Sequence, residues 1–118
     1  MEAMTPYSYA GLPIAKRRAI SIEDIENIIS EYFDIPIQQI ISKKRDHHIV
    51  FARQFAIYFT RKYTNLSLKT IGLHFMRDHS TVIYSCRLIK DCKDYDPAIK
   101  EAYPILDEMI QKIKIMPC

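Results

Sequence analysis

The most informative stretch of this sequence is Arg77-Asp78-His79-Ser80-Thr81-Val82. Arginine offers a planar pair of donors that fits guanine O6 and N7. Aspartate accepts from cytosine N4, and a threonine methyl can meet a thymine methyl. Asp78, His79 and Ser80 also hold the residue types of a catalytic triad. Neighbours on one helical turn point in different directions, so they cannot line up nucleophile, base and orienter. Catalysis is therefore not expected, and the chain is read as a non-enzyme. His47, His48, His74 and His79 lack i,i+4 pairing with one another. They are read as surface histidines, with no metal site.

The elements around this run place it. Leu68, Ile71, Gly72 and Phe75 share one helical face upstream, and Val82, Ile83, Cys86 and Ile89 recur at helical spacing downstream. Ser67 and Asp78 are predicted to cap the two helices. A short helix, a tight polar turn and a helix with a polar opening form the layout of a helix-turn-helix. In that motif the second helix lays its N-terminal side chains in the major groove.

Charge supports this reading. The 118 residues carry a net charge of +3. Residues 43–90 hold ten bases against two acids, whereas residues 19–42 hold five acids and no base. The basic loop Ser42-Lys43-Lys44-Arg45-Asp46-His47-His48 is followed by Arg53, Arg61, Arg77 and Lys90. A common surface for these cations is a footprint for phosphate. A P-loop or dinucleotide glycine pattern is absent, so neither nucleotide nor other cofactor is expected. Three cysteines without C-x-x-C spacing suggest reduced thiols in a cytoplasmic protein, Cys86 being a small core residue. No apolar run reaches membrane-spanning length, and no signal-peptide pattern opens the chain, so no membrane partner is expected.

Residues 1–20 show no periodicity and are read as a flexible arm; residues 21–118 form one domain. Ser21 with Asp24 suggests a capping box for an amphipathic helix whose stripe is Ile22, Ile25, Ile28, Ile29, Tyr32 and Phe33. Glu23, Asp24, Glu26 and Glu31 are assigned to its wet face. Asp34-Ile35-Pro36 ends it. Ile37, Ile40 and Ile41 suggest one helical turn, and residues 42–48 a loop. A helix follows over residues 49–62, with Phe51, Phe55, Tyr58 and Phe59 facing a core, and a last one over residues 98–115. Pro104 lies inside the last helix, which must kink there or have Pro104 open its main part. The fold class is all-α, with Ile25, Ile29, Phe55, Phe59, Ile71, Phe75, Val82 and Ile89 in the core.

Residues 21–93 resemble the C-terminal DNA-binding domain of the bacterial replication initiator DnaA. That family carries a Ser-Lys-Arg-Arg loop, a Pro-Arg-Gln helix start and a Gly-x-x-Phe-Gly-x-Arg-Asp-His-(Ser/Thr)-Thr-Val-x-x-Ala-Cys motif. Here these read Ser42-Lys43-Lys44-Arg45, Ala52-Arg53-Gln54, and Gly72-Leu73-His74-Phe75-Met76-Arg77-Asp78-His79-Ser80-Thr81-Val82-Ile83-Tyr84-Ser85-Cys86. The resemblance implies a Trp-repressor-like helical fold that binds double-stranded DNA at DnaA-box-like sequences. It implies that Arg45, in the loop with Lys43 and Lys44, enters the minor groove. Arg53, Gln54 and Arg61 match backbone-phosphate binders, and Arg77, Asp78, His79, Ser80 and Thr81 match major-groove readers. Tyr84 stands where the family has a histidine on the recognition helix.

The sequence departs from the pattern at the turn. One residue is missing between Phe75 and Arg77, and Met76 replaces a glycine. The shorter turn re-aims the second helix if it tightens. Without an ATPase domain, and with Met1 followed by a short arm, the expectation is a stand-alone domain in the cytoplasm or nucleoid. Two other readings stay open. One is a DnaA-like fold that binds a replication protein, with residues 23–31 as contact face. The other is the DNA-targeting part of a larger recombinase or transposase.

Overall fold

The computed structural model describes residues 19–114. The expected arm falls mostly outside the described residues. Its end does not: Ile20 is buried in the core. With Ile25 in the same cluster, it has the position and residue type of a hydrophobic staple across the Ser21 cap.

Among the described residues there are six helices and no strand. Helix α1 spans Ile22–Phe33, α2 Ile37–Ile40, α3 His47–Tyr63, α4 Leu68–His74, α5 His79–Cys92 and α6 Pro97–Lys114. The capping box forms: Asp24 N donates to Ser21 Oγ at 3.2 Å, and Ser21 N donates to Asp24 Oδ2 at 3.0 Å. Asp34 ends α1 in the left-handed region, with φ 55°. An aspartate tolerates that conformation better than a bulky residue.

Helix α3 is the central element, packed by α1, α2, α4 and α5. Phe55 and Phe59 are fully buried and stack at 6.0 Å between ring centroids. Around them lie Ile25, Ile29, Ile71, Phe75, Val82 and Ile89, all fully buried as the helical spacing requires. Helix α6 closes the core with Leu106 and Ile110. It runs through Pro104 as one unbroken helix from Pro97, so Pro104 does not open its main part as one of the two expectations had it. Pro104 and Lys100 are both exposed, so the carbonyl left without a donor lies on the wet side.

Three local expectations need correction. Helix α3 starts at His47, not at residue 49, so His47 and His48 form its first turn rather than part of the loop. Glu26, assigned to the wet face of α1, is buried at 4% exposure. His74, read as a surface histidine, is half-buried, and its Nε2 lies 2.6 Å from Glu26 Oε2. The two errors share one cause. Periodicity describes a helix against solvent, while α4 lays a polar partner across the flank of α1 that periodicity leaves wet.

Candidate nucleic-acid interface

Helix α4 is capped by Ser67, whose Oγ accepts from Thr70 N at 3.1 Å. Its end is a Schellman arrangement. Arg77 N donates to Gly72 O at 2.8 Å, and Met76 N donates to Leu73 O at 3.3 Å. Met76 occupies the left-handed position, with φ 55°, that such an ending normally gives to glycine. The backbone of the missing-residue turn is therefore compact, and a methionine carries its strain. Gly72 is needed for the same closure, because a Cβ there would sit 2.6 Å from Arg77 O.

Asp78 caps α5 from an extended backbone, its Oδ1 accepting from Thr81 N at 2.9 Å. That bond, and after it a hydrogen bond from the Thr81 side chain, hold the Asp78 carboxyl below its ordinary range. Asp78, His79 and Ser80 are exposed, and Thr81 is half-exposed. Tyr84, one turn on, is 61% exposed. The opening of α5 is thus a polar tip free to meet another surface.

The basic loop lies beside this tip. Lys43, Lys44 and Arg45 are exposed. An open cleft of about 540 Å³ is lined by Lys43, Arg45, Val50, Arg53, Met76, Arg77, Asp78 and Thr81. Loop, α3 and the α4–α5 turn therefore meet at one surface, although 32 positions separate Arg45 from Arg77 in the chain.

The arginines in the cleft are not equally available. Arg77 is half-buried; its Nη1 donates to Met76 O at 3.0 Å and its Nη2 to Ser42 O at 3.1 Å. Arg53 is only 4% exposed. Its Nε donates to Ile40 O at 2.7 Å, and its Nη2 to Lys44 O at 2.9 Å and Gln39 O at 3.4 Å. Burial, and then the charge of Arg77, lower the Arg53 pKa to about 10, which leaves it charged at neutral pH.

The remaining candidate residues lie elsewhere. Gln54 lines an apolar groove of about 400 Å³ with His47, His48, Phe51, Leu88 and Cys92 among its walls. Arg61 lines a third cleft with Tyr58, Lys62, Cys86, Arg87 and Lys90. Lys90 is one of the cations expected to share a surface with Arg61, and here it does; Arg87 was not singled out from the sequence, though the charge count over residues 43–90 contained it. Cys86 is half-buried there; burial raises its pKa, and Arg61 opposes the rise. Among the described residues, no three His, Cys, Asp or Glu side chains converge as a metal site would need. No described helix is long and apolar enough to cross a membrane.

Comparison with known proteins agrees with this geometry. Residues 22–89 match the family model described as the bacterial dnaA protein helix-turn-helix. Several proteins named chromosomal replication initiator protein DnaA are similar to the chain. The one from Acinetobacter baylyi is 38% identical over 97 residues, covering 81% of this chain and 21% of that protein. That from Thermodesulfovibrio yellowstonii is 40% identical over 99 residues, covering 83% and 22%. That from Flavobacterium psychrophilum is 33% identical over 100 residues, covering 84% and 20%. The chain thus spans about a fifth of the length of these relatives.

Proposed function

This chain belongs to the bacterial DnaA helix-turn-helix family, and from that premise we propose that it binds double-stranded DNA sequence-specifically, at DnaA-box-like sites, without ATPase activity of its own. One observation carries the reading: the exposed cationic loop of Lys43, Lys44 and Arg45 borders the same cleft as the polar tip of α5. A recognition helix in the major groove and a basic loop in the adjoining minor groove need that juxtaposition.

In this reading Asp78, His79, Ser80, Thr81 and Tyr84 face base edges and nearby phosphates, joined by Arg77 where it leaves the loop carbonyl. Arg45 enters the minor groove. Gln54 and Arg61, on the flank of α3, meet the phosphate backbone, and replication proteins are further partners. The test is a fluorescence-anisotropy titration of a DnaA-box duplex against a scrambled duplex at two salt concentrations. The box is expected to bind more tightly, and affinity to fall with a log–log slope of about −0.9 per phosphate neutralised. Equal affinity for both duplexes removes the sequence-specific part.

A second reading, docking of a protein partner, draws on two apolar side chains at the turn: Leu73 is 71% exposed and Met76 50% exposed. It is favoured if duplex binding is absent or does not respond to salt.

A further inference from the structure

We propose that Arg53 is a positioning residue, whose guanidinium sets the basic loop against α3 and so aims Arg45, rather than a phosphate contact. The proposal rests on the DNA-binding reading for its functional consequence. Its structural half stands on the free domain alone.

A guanidinium removed from water must find partners for its donors, because an unpaired buried charge is costly. Among the described residues, the partners of Arg53 are three carbonyls and no carboxylate. Two of them, Gln39 O and Ile40 O, belong to the C-terminal end of α2; Gln39 O also accepts from Ser42 N at 3.2 Å, so the 2.7 Å bond from Nε to Ile40 O is the main tie to α2. The third, Lys44 O, belongs to the loop itself, next to Arg45.

One rigid fork on α3 thus holds both ends of the segment between α2 and the loop. Nε and Nη2 are committed to these oxygens. Arg77 adds a second tie through Ser42 O from the α4–α5 turn, so the loop is held from two elements. Inside the segment, Ser42 Oγ donates to Gln39 O at 2.6 Å and accepts from Lys44 N at 3.2 Å, which shapes the bend. The charged residues needed outside, Lys43, Lys44 and Arg45, remain exposed.

Geometry separates this role from a phosphate contact. A phosphate also accepts a point charge, so a lysine retains the charge and part of such a contact. Two acceptors on separate segments need the separated donors of a planar fork, which one ammonium does not supply. The experiment therefore compares Arg53→Lys with Arg53→Ala, using two readouts. One is backbone ¹⁵N relaxation over residues 42–46 in the free domain. The other is the salt dependence of duplex binding.

Arg53→Lys is expected to lower the loop order parameters toward the flexible range, below about 0.6. It is also expected to weaken the preferred duplex on the order of tenfold, the loss from about 1.4 kcal/mol of misplaced contact, with the salt slope unchanged. The proposal is overturned if Arg53→Lys binds like the parent with an ordered loop. It is equally overturned if Arg53→Ala keeps the loop ordered and makes the slope shallower by about 0.9. Should Arg53→Ala fail to fold by circular dichroism, Arg53→Lys decides alone. A parent domain that binds no duplex would remove the DNA reading, while the relaxation data would still decide whether Arg53 orders the loop.

Discussion

Asp78 caps a helix and, in the proposed DNA-binding reading, also faces base edges. Its carboxylate caps α5 through Thr81 N and stands exposed at the tip that faces the cleft. Because hydrogen bonds in the folded state lower its pKa, the cap contributes fully above the ordinary value of 3.8 and fades as pH falls through the lower folded value. Asp78→Asn keeps an accepting oxygen but cannot titrate. Its melting temperature should match the parent near neutral pH and fall less steeply below about pH 4. In a selected-site binding profile it should change base preference at one position. An unchanged profile would place this residue away from the groove. The Glu26–His74 pair makes the opposite case, a polar contact held inside. Glu26 is 4% exposed, so His74→Leu strands a buried carboxylate and should cost about 3 kcal/mol in denaturant unfolding, against about 1 kcal/mol for Glu26→Gln. Equal losses would mean that the pair is open to water.

The turn between α4 and α5 sets the angle at which α5 is presented. Its compactness comes from two backbone conditions. Gly72 lets Arg77 O approach, and Met76 accepts a left-handed φ of 55°. Gly72→Ala puts a methyl 2.6 Å from a backbone oxygen, so the turn backbone must shift, which should cost about 2 kcal/mol. Met76→Gly should act the other way. Relief of left-handed strain is worth about 1 kcal/mol, and the extra freedom of glycine in the unfolded chain takes back part of it. A net gain of about 0.5 kcal/mol in chemical denaturation is expected. A loss would show that the half-exposed methionine side chain contributes packing that outweighs its backbone strain.

Over the whole domain, the core is larger than the stretch that the family model matches. That match ends at residue 89, yet Leu106 and Ile110 on α6 are fully buried, and α6 packs on both α1 and α5. It is fastened to α3 by a polar network: Tyr58 and Tyr103 hydroxyls 2.9 Å apart, Lys62 Nζ to Asp107 at 3.1 Å, and a Tyr63–Asp107 hydrogen bond. Leu106→Ala should therefore cost about 3 kcal/mol and lower the single unfolding transition of the entire domain. A separate early transition confined to α6 would show instead that this helix is only docked. Charge is also distributed at this level, with residues 43–90 basic and residues 19–42 acidic. The fold turns that linear separation into a surface, because loop, α3 and α5 converge on one cleft.

The helices and most of their buried faces were legible in the residue order, since a 3.6-residue period is a local property. Phe55, Phe59, Ile71 and Val82 could be placed in the core without knowing what covers them, and the caps Ser21, Ser67 and Asp78 could be read from residue type and position. The motif around Arg77 likewise pointed to the family. The partners of polar side chains across the fold were not legible. Nothing near Arg53 in sequence says that its guanidinium will meet Gln39, Ile40 and Lys44 carbonyls, and nothing near Glu26 announces His74, 48 positions away. Ile20 looked like the end of an arm until the packing of the domain buried it. Apolar burial follows from a pattern each segment carries by itself, whereas a hydrogen bond between distant segments depends on the relative placement of two elements. Only the tertiary structure fixes that placement.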